Sequence, residues 1–189
     1  MKTNFIDRLF YPPNYLIMPV AGVDICNRSI KYVEFTNKNG NLHLKNFGEV
    51  PLGENVFKNG EILNKKALIK ALSDVKNKIS ADFVSMSVPE EQTYVFYTQI
   101  PDVKDKDVRQ AVEFKLEENI PIKIEEASFE YHVLRDKKDE NGNIFVSVSV
   151  IPKKVIENYT EVLEMAGLQP TSFEVESRMV AKSVISRNY

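Results

Sequence analysis

Residues 22–31 read GVDICNRSIK. An apolar strand runs into Gly22 and Asp24, a polar turn follows, and Lys31 stands seven places after the aspartate. A tight turn between two strands can aim several backbone N–H groups into one concavity, which suits phosphate oxygens. Asp24, at the strand end, can hold a Mg²⁺-bound water, because hard cations prefer oxygen ligands. Ser29 offers a hydroxyl and Lys31 a compact positive charge. The same residues also make an ordinary hairpin bend, since an aspartate at a strand end and Asn27 in the turn are common turn chemistry. Spacing alone leaves both readings open.

Working outward, LIMPVAGVDI (16–25) is nearly all apolar and reads as a buried strand. SIKYVEFT (29–36) places Lys31, Val33 and Phe35 on one face and Ile30, Tyr32 and Glu34 on the other. NKNG (37–40) is a turn signal and NLHLKNFGEV (41–50) the return strand, so two consecutive hairpins open the fold. A helix follows at about 63–79, with Leu63, Ala67, Leu68, Ala71, Leu72, Val75 and Ile79 as its apolar stripe. FVSMSV (83–88) alternates, with Val84, Met86 and Val88 on one face, and Pro89 stops it. The order β-β-β-α-β predicts a mixed sheet covered by helices. Before it, residues 1–15 form a lead-in tail whose Phe5, Ile6, Leu9 and Phe10 share one face of a short helix. Docking on its own domain suits that tail better than a foot on a membrane surface, because so short a helix with few cations binds lipid weakly.

The next stretch has a different rhythm. QTYVFYTQI (92–100) is a strand rich in β-branched and aromatic residues. A helix at about 104–118 carries Val108, Ala111, Val112 and Leu116, and Pro121 ends it. SFEYHVLR (128–135) and NIFVSVSVI (143–151) are strands around a charged loop, and an amphipathic helix at about 153–166 closes the unit, with Gly167 as its left-handed cap. LQPTSFEV and a final helix, ESRMVAKSVI, return to the first sheet. The chain thus reads as a tail (1–15), a first part of one domain (16–91), an inserted domain (92–167) and a return segment (168–189).

Composition narrows the function classes. The 189 residues are 43% hydrophobic and 28% charged, ordinary for a globular protein. Lys+Arg 25 against Asp+Glu 27 gives a net charge of −2, and no basic stripe argues for nucleic acid as partner. One cysteine, Cys26, excludes an internal disulfide and suits a reducing cytoplasm. The two histidines, His43 and His132, lie mid-strand with no ligand spacing around them, so no metal site is expected there. Cys26 lacks a base in view and reads as a small turn-lining residue. Glu113 and Glu117 are four apart on one helical face, which is solvated in the simplest reading. Phe114 falls off the stripe of its helix beside these acids, and serves either a partner-binding surface or packing between domains.

One ordered set of motifs goes further. GVDICNRSIKYVEF resembles the first phosphate hairpin of the PilM family, actin-like proteins of type IV pilus assembly related to the cell-division protein FtsA; the matches are Gly22, Asp24, Ser29, Lys31, Val33 and Glu34. NGEILNKKALIKAL, FVSMSVPEEQTYVFYTQIPDV, VRQAVEFKLEENIPIKIEEASFEYHVL and VIENYTEVLEMAGLQPTSFEVESRMVAKSV are similar to it in the same order. The resemblance implies an α/β fold: an actin-like (ribonuclease H-like) subdomain 1A interrupted by a strand–helix–strand–strand (SHS2-type) subdomain 1C, with the second actin-like half absent from this stretch. It implies a cytoplasmic adaptor, peripheral at the inner face of the cytoplasmic membrane, that binds the N-terminal tail of a PilN-like membrane protein and connects to other platform and motor proteins. It also implies that Asp24, Cys26, Asn27, Ser29 and Lys31 face the phosphates of ATP, with Asp24 toward Mg²⁺ through water; the off-stripe Phe114 and its neighbour Glu117 remain the candidate residues for a partner surface. Full-length relatives take ATP and Mg²⁺ in a cleft between two halves, so weak binding or none, and no enzymatic turnover, is expected of this chain. Cys26 stands where many relatives have glycine, and its β-carbon is expected to crowd the phosphate approach or to demand another backbone angle. An FtsA-like or type II secretion platform protein assembling through its inserted domain is the alternative, and an actin-superfold kinase or ATPase a more distant one.

Overall fold

The computed structural model describes residues 18–38, 41–58 and 60–185. The tail expected over 1–15 and part of the 37–40 turn lie outside the described residues. The elements are β1 (Val20–Ile25), β2 (Ser29–Lys38), β3 (Asn41–Pro51), β4 (Phe57–Lys58), β5 (Glu61–Ile62), α1 (Lys65–Lys76), β6 (Phe83–Val88), β7 (Tyr94–Ile100), α2 (Asp105–Asn119), β8 (Ala127–Lys138), β9 (Ile144–Pro152), α3 (Lys153–Met165), β10 (Gln169–Val175) and α4 (Glu176–Val184). They fall into two compact units. One is made of the chain up to Pro89 together with everything from Tyr159 onward; the other is Glu90–Asn158. The first is discontinuous in sequence, and its return begins within α3, upstream of the Gly167 boundary that the sequence suggests.

The first unit is a five-stranded sheet in the order β10-β6-β1-β2-β3. β1, β2 and β3 are joined antiparallel, whereas β1, β6 and β10 run parallel. Parallel neighbours need long crossovers, and the chain supplies them through α1 between β5 and β6 and through the excursion between β6 and β10. One face of the sheet is the core: Ala21, Val23, Ile25, Ile30, Val84, Met86 and Val88 are buried. The alternate residues of β1, Val20, Gly22 and Asp24, are not. The stretch read as a buried strand is therefore buried on one side only; its apolar run mixes core residues with residues of the opposite face. α1 buries Leu68, Ala71, Leu72 and Val75 and starts at Asn64, whose Oδ1 accepts from the Ala67 N–H at 3.0 Å. In α3, Tyr159, Val162 and Leu163 are buried, as is Ala166 just beyond its end. Gly167 follows at φ +80 and lets the Leu168 N–H donate to the Leu163 carbonyl at 2.9 Å, a left-handed cap.

Glu34 is buried within this core. Its carboxylate accepts from Lys45 Nζ (3.2 Å), Asn46 Nδ2 (2.6 Å) and the Ser80 N–H (3.1 Å). Burial pushes its pKa up, but the Ser80 amide, Asn46 and Lys45 together outweigh that and hold the carboxyl below the usual range. A β-bulge in β3 brings Lys45 round to it.

The second unit is a three-stranded antiparallel sheet, order β7-β9-β8, with α2 inserted between β7 and β8. Ile100, Val108, Val112, Leu116, Ile144, Val146, Val148 and Val150 form one apolar cluster. The strand–helix–strand–strand order read from the sequence is the order observed.

Candidate functional site

Asp24 and Lys31 are cross-strand partners in the β1–β2 hairpin, so their side chains rise from one face. Gly22 and Val33 share that face, as do Ser85 and Ser87 of β6, which pair with Gly22 and Asp24. The turn closes over Asn27 and Arg28, with the Cys26 N–H donating to the Ser29 carbonyl at 2.9 Å. That amide is committed inside the turn. The Arg28 carbonyl accepts from the Leu52 N–H at 2.7 Å, which ties the turn to the end of β3.

Asp24 is the hub of the arrangement. Its Oδ1 accepts from the Ser87 hydroxyl, its Oδ2 accepts from the Cys26 thiol at 3.1 Å, and Lys31 Nζ stands 4.0 Å away. Partial burial, the hydrogen bond to Asp24 and that carboxylate's charge push the Cys26 thiol up to about 11; Glu176 adds to the rise and Lys31 opposes it. The thiol is thus a protonated donor at neutral pH. Among the described residues, Asn55 is the one non-glycine residue with positive φ. Cys26 therefore sits in ordinary backbone, and its side chain folds onto Asp24 where glycine would leave an oxygen free.

A cavity of about 330 Å³ opens beside this hub. Asp24, Lys31, Ser87 and Glu176 supply its polar wall, and Val33, Met179 and Val180 much of the rest. A β-carbon on Gly22 would come within 3.1 Å of Val33 Cγ1, so glycine keeps that wall low. Of the residues singled out from the sequence, Asp24 and Lys31 line the cavity and Cys26 reaches Asp24; Asn27 and the buried Ser29 are not part of the lining. Ser87 and Glu176 escaped the sequence reading. They converge because β1, β6 and β10 run parallel and end side by side, so that residues at or just past the strand ends meet. Two carboxylates against one ammonium make the cavity negative, and a phosphate would enter only with a cation. Among the described residues no group of three or more His, Cys, Asp or Glu is disposed to hold a metal ion. Asp24 and Glu176 instead fit the one or two carboxylates that Mg²⁺ takes when it keeps its waters and arrives with phosphate.

In the second unit, Phe114 on α2 is 66% exposed, and Glu117 is exposed one turn on. Arg109 Nε donates to Glu113 at 3.0 Å and its guanidinium lies 4.6 Å over the Phe129 ring. Both histidines are exposed on strands. Among the described residues no helix is long and apolar enough to cross a membrane.

A family model described as type IV pilus assembly protein PilM matches residues 22–188. No curated protein matches the chain. Among solved structures, a PilM–PilN type IV pilus biogenesis complex is similar at TM-score 0.75 and 18% identity, over 87% of this chain and 49% of that one. The cytoplasmic domain of EpsL, an inner membrane component of the type II secretion system of Vibrio cholerae, is similar at TM-score 0.52 and 13% identity, over 82% and 56%. The chain spans about half the length of the solved structures it matches. At these identities the likeness shows the fold, an actin-like 1A subdomain with an inserted strand–helix–strand–strand 1C subdomain. The family model reaches from the first glycine of the hairpin through α4, and on that match the chain belongs to the PilM family of type IV pilus assembly proteins.

Proposed function

We propose that the chain is an adaptor of the type IV pilus assembly platform that binds the N-terminal cytoplasmic tail of a PilN-like membrane protein at the inner face of the cytoplasmic membrane. The observation that carries this reading is the family match over residues 22–188; the shared fold with a PilM–PilN complex supports it. An extended tail can add to a sheet edge or lie along side-chain pockets, with backbone hydrogen bonds and anchors sharing the binding. Phe114 and Glu117 are the partner-surface residues of this proposal. Titration with a PilN-type tail peptide tests it: saturable binding supports the adaptor, and no binding at high micromolar peptide sinks it.

Nucleotide has a secondary place in this reading. The cavity lies at the small end of the roughly 300–1,000 Å³ of ligand sites, and Asp24 already accepts from Ser87 and Cys26. ATP is therefore held weakly, through Mg²⁺ beside Asp24 and Glu176 with Lys31 on a phosphate, and is not turned over. Binding of a fluorescent ATP analogue should vanish in EDTA; steady ATP hydrolysis lost in Asp24→Ala would instead revive the ATPase reading. The likeness to the EpsL cytoplasmic domain favours a second reading, a platform protein that assembles through its inserted domain. Self-association abolished by changes on the 92–135 surface would support it.

A further inference from the structure

The outer strands of the two larger sheets differ in how well they are closed to a further strand. Sheets protect an edge with charged side chains, prolines or bulges that turn its free N–H and C=O groups away from a newcomer. In the first unit the outer strands are β10 and β3. β10 carries Pro170 and a register shift beside it, and β3 carries Lys45, Glu49 and a bulge. In the second unit β8 is protected in the same way. Glu130, Arg135, Asp136 and Lys138 stand exposed along it, and its register shifts between Leu134 and Lys138. β7 is the exception. Its sequence, YVFYTQI, holds no charge, proline or glycine, and it pairs with β9 from Tyr94 to Ile100 without a shift. Among the described residues no strand lies on its other side. Phe96 and Ile100 turn inward to the apolar cluster, while Val95 and Tyr97 are 46% and 72% exposed. A groove of about 530 Å³ touches Tyr97, Thr98 and Gln99 in succession, with Lys115 of α2 on its wall. Alternate side chains face opposite ways, so a groove that meets three in a row lies at the strand's edge. Glu118 already holds Lys115 Nζ at 2.7 Å, so the groove calls for no outside counter-charge.

We propose that β7 is a self-pairing edge: a second copy adds its own β7 antiparallel about a two-fold axis, and the two three-stranded sheets become one of six. The edge names the class of occupant, because a row of free backbone groups is met by another extended backbone. Three observations make that backbone a second copy. An uncharged β7 meets itself in any antiparallel register with no like charges opposed. The protected β8 then forms both outer edges of the joined sheet, so addition stops at two, as a closed two-fold pair requires. The third concerns the part of such a fold that this chain does not span. Both ends of the chain lie in the first unit, whereas the inserted unit leaves it at Glu90, has rejoined it by Tyr159 and encloses its own apolar cluster in between. The remainder therefore continues from the first unit, not from the sheet that holds β7. This inference supplies a contact for assembly through the inserted domain and rests on that reading.

Sedimentation equilibrium of the 189-residue chain over a concentration series, with hydrogen exchange of the β7 amides at its two extremes, tests this. The expected result is a monomer–dimer equilibrium, reaching twice 21.7 kDa at high concentration. Tyr97→Lys and Tyr97→Glu should each weaken it about tenfold or more, and mixing the two should restore a pair, since opposite charges then face each other across the new ladder. Alternate amides of Tyr94–Ile100 should exchange more slowly as concentration rises, and those of β8 should not. Both substitutions fall on an exposed side chain, so an unchanged melting temperature at low concentration shows that the fold is kept. A 21.7 kDa monomer at millimolar concentration overturns this inference and the assembly reading together. A dimer that survives Tyr97→Lys and is lost in Phe114→Ser overturns the inference alone. Open-ended oligomers overturn it, as do β7 amides equally protected in the monomer, which would mean that another part of the chain already covers the edge.

Discussion

Glu34 is a charge kept in the interior by geometry. The family motif runs through it, and its neighbours explain why an acid belongs there: a backbone amide, an amide side chain and an ammonium converge on its two oxygens. Removing the acid strands those donors. Glu34→Ala should lower stability by about 2–4 kcal/mol in urea denaturation at neutral pH. The pH dependence has a definite sign. Because the folded pKa is depressed, the contribution is full above the unfolded glutamate value of about 4.3 and is lost as pH falls through the lower folded value. Glu34→Gln should therefore flatten the acid limb of the stability curve; an unchanged limb would mean that other carboxylates set it. Cys26 behaves in the opposite sense. With its thiol pushed up to about 11, its thiolate is scarce at pH 8, and alkylation by iodoacetamide should be on the order of 100-fold slower than for a free cysteine. Asp24→Asn should speed it by removing the neighbouring charge, and reaction at the free-thiol rate in the unaltered chain would refute the Asp24 contact.

Single elements can be probed where one interaction dominates. Asn64 caps α1 through its side chain, so Asn64→Ala should cost about 1 kcal/mol in denaturant titration. Gly167 holds φ +80 with nothing within 4 Å of a would-be β-carbon; Gly167→Ala should cost about 1 kcal/mol, from backbone conformation alone. Gly167 was legible as punctuation by its place after an amphipathic stripe; Asn64 was not, because the apolar stripe read from the sequence starts at Leu63 and puts the cap inside the helix. The stripes of α1, α2 and α3 and the alternation of β6 were legible too, because each buries one face and period follows from burial; in α1 the stripe drawn from the sequence is too long, since Leu63 lies before the helix and is exposed and Ile79 lies after it. β4 and β5 are two residues each, too short for any period. The one-sided burial of β1 was hidden because its second face carries Val20 and Gly22, neither polar. Ser87 and Glu176 were hidden for a different reason. Each looks like an ordinary strand or helix-end residue, and only the parallel order β10-β6-β1 brings them to Asp24.

At the scale of the molecule, the two units divide the chemistry. The first holds a largely apolar cavity with charges of both signs in its wall; the second offers an exposed aromatic on a charged helix, and its own charge cluster, Asp102 with Arg135 and Lys138, pairs off at the surface. An adaptor should show that division in its variants. Phe114 is 66% exposed and off the apolar cluster, so Phe114→Ser should leave the melting temperature unchanged. If it anchors a partner tail, the same change should weaken peptide binding about tenfold, in the range of aromatic hot spots. Asp24→Ala should do the reverse, abolishing what nucleotide binding there is and leaving tail affinity within about twofold, because nothing in an adaptor role requires phosphate chemistry. Isothermal titration of one tail peptide into the unaltered chain and both variants, with and without Mg²⁺-ATP, separates these effects. A tail affinity that falls with Asp24→Ala, or that rises with Mg²⁺-ATP, would mean that the two functions are linked and that the hairpin acts as a switch for partner binding.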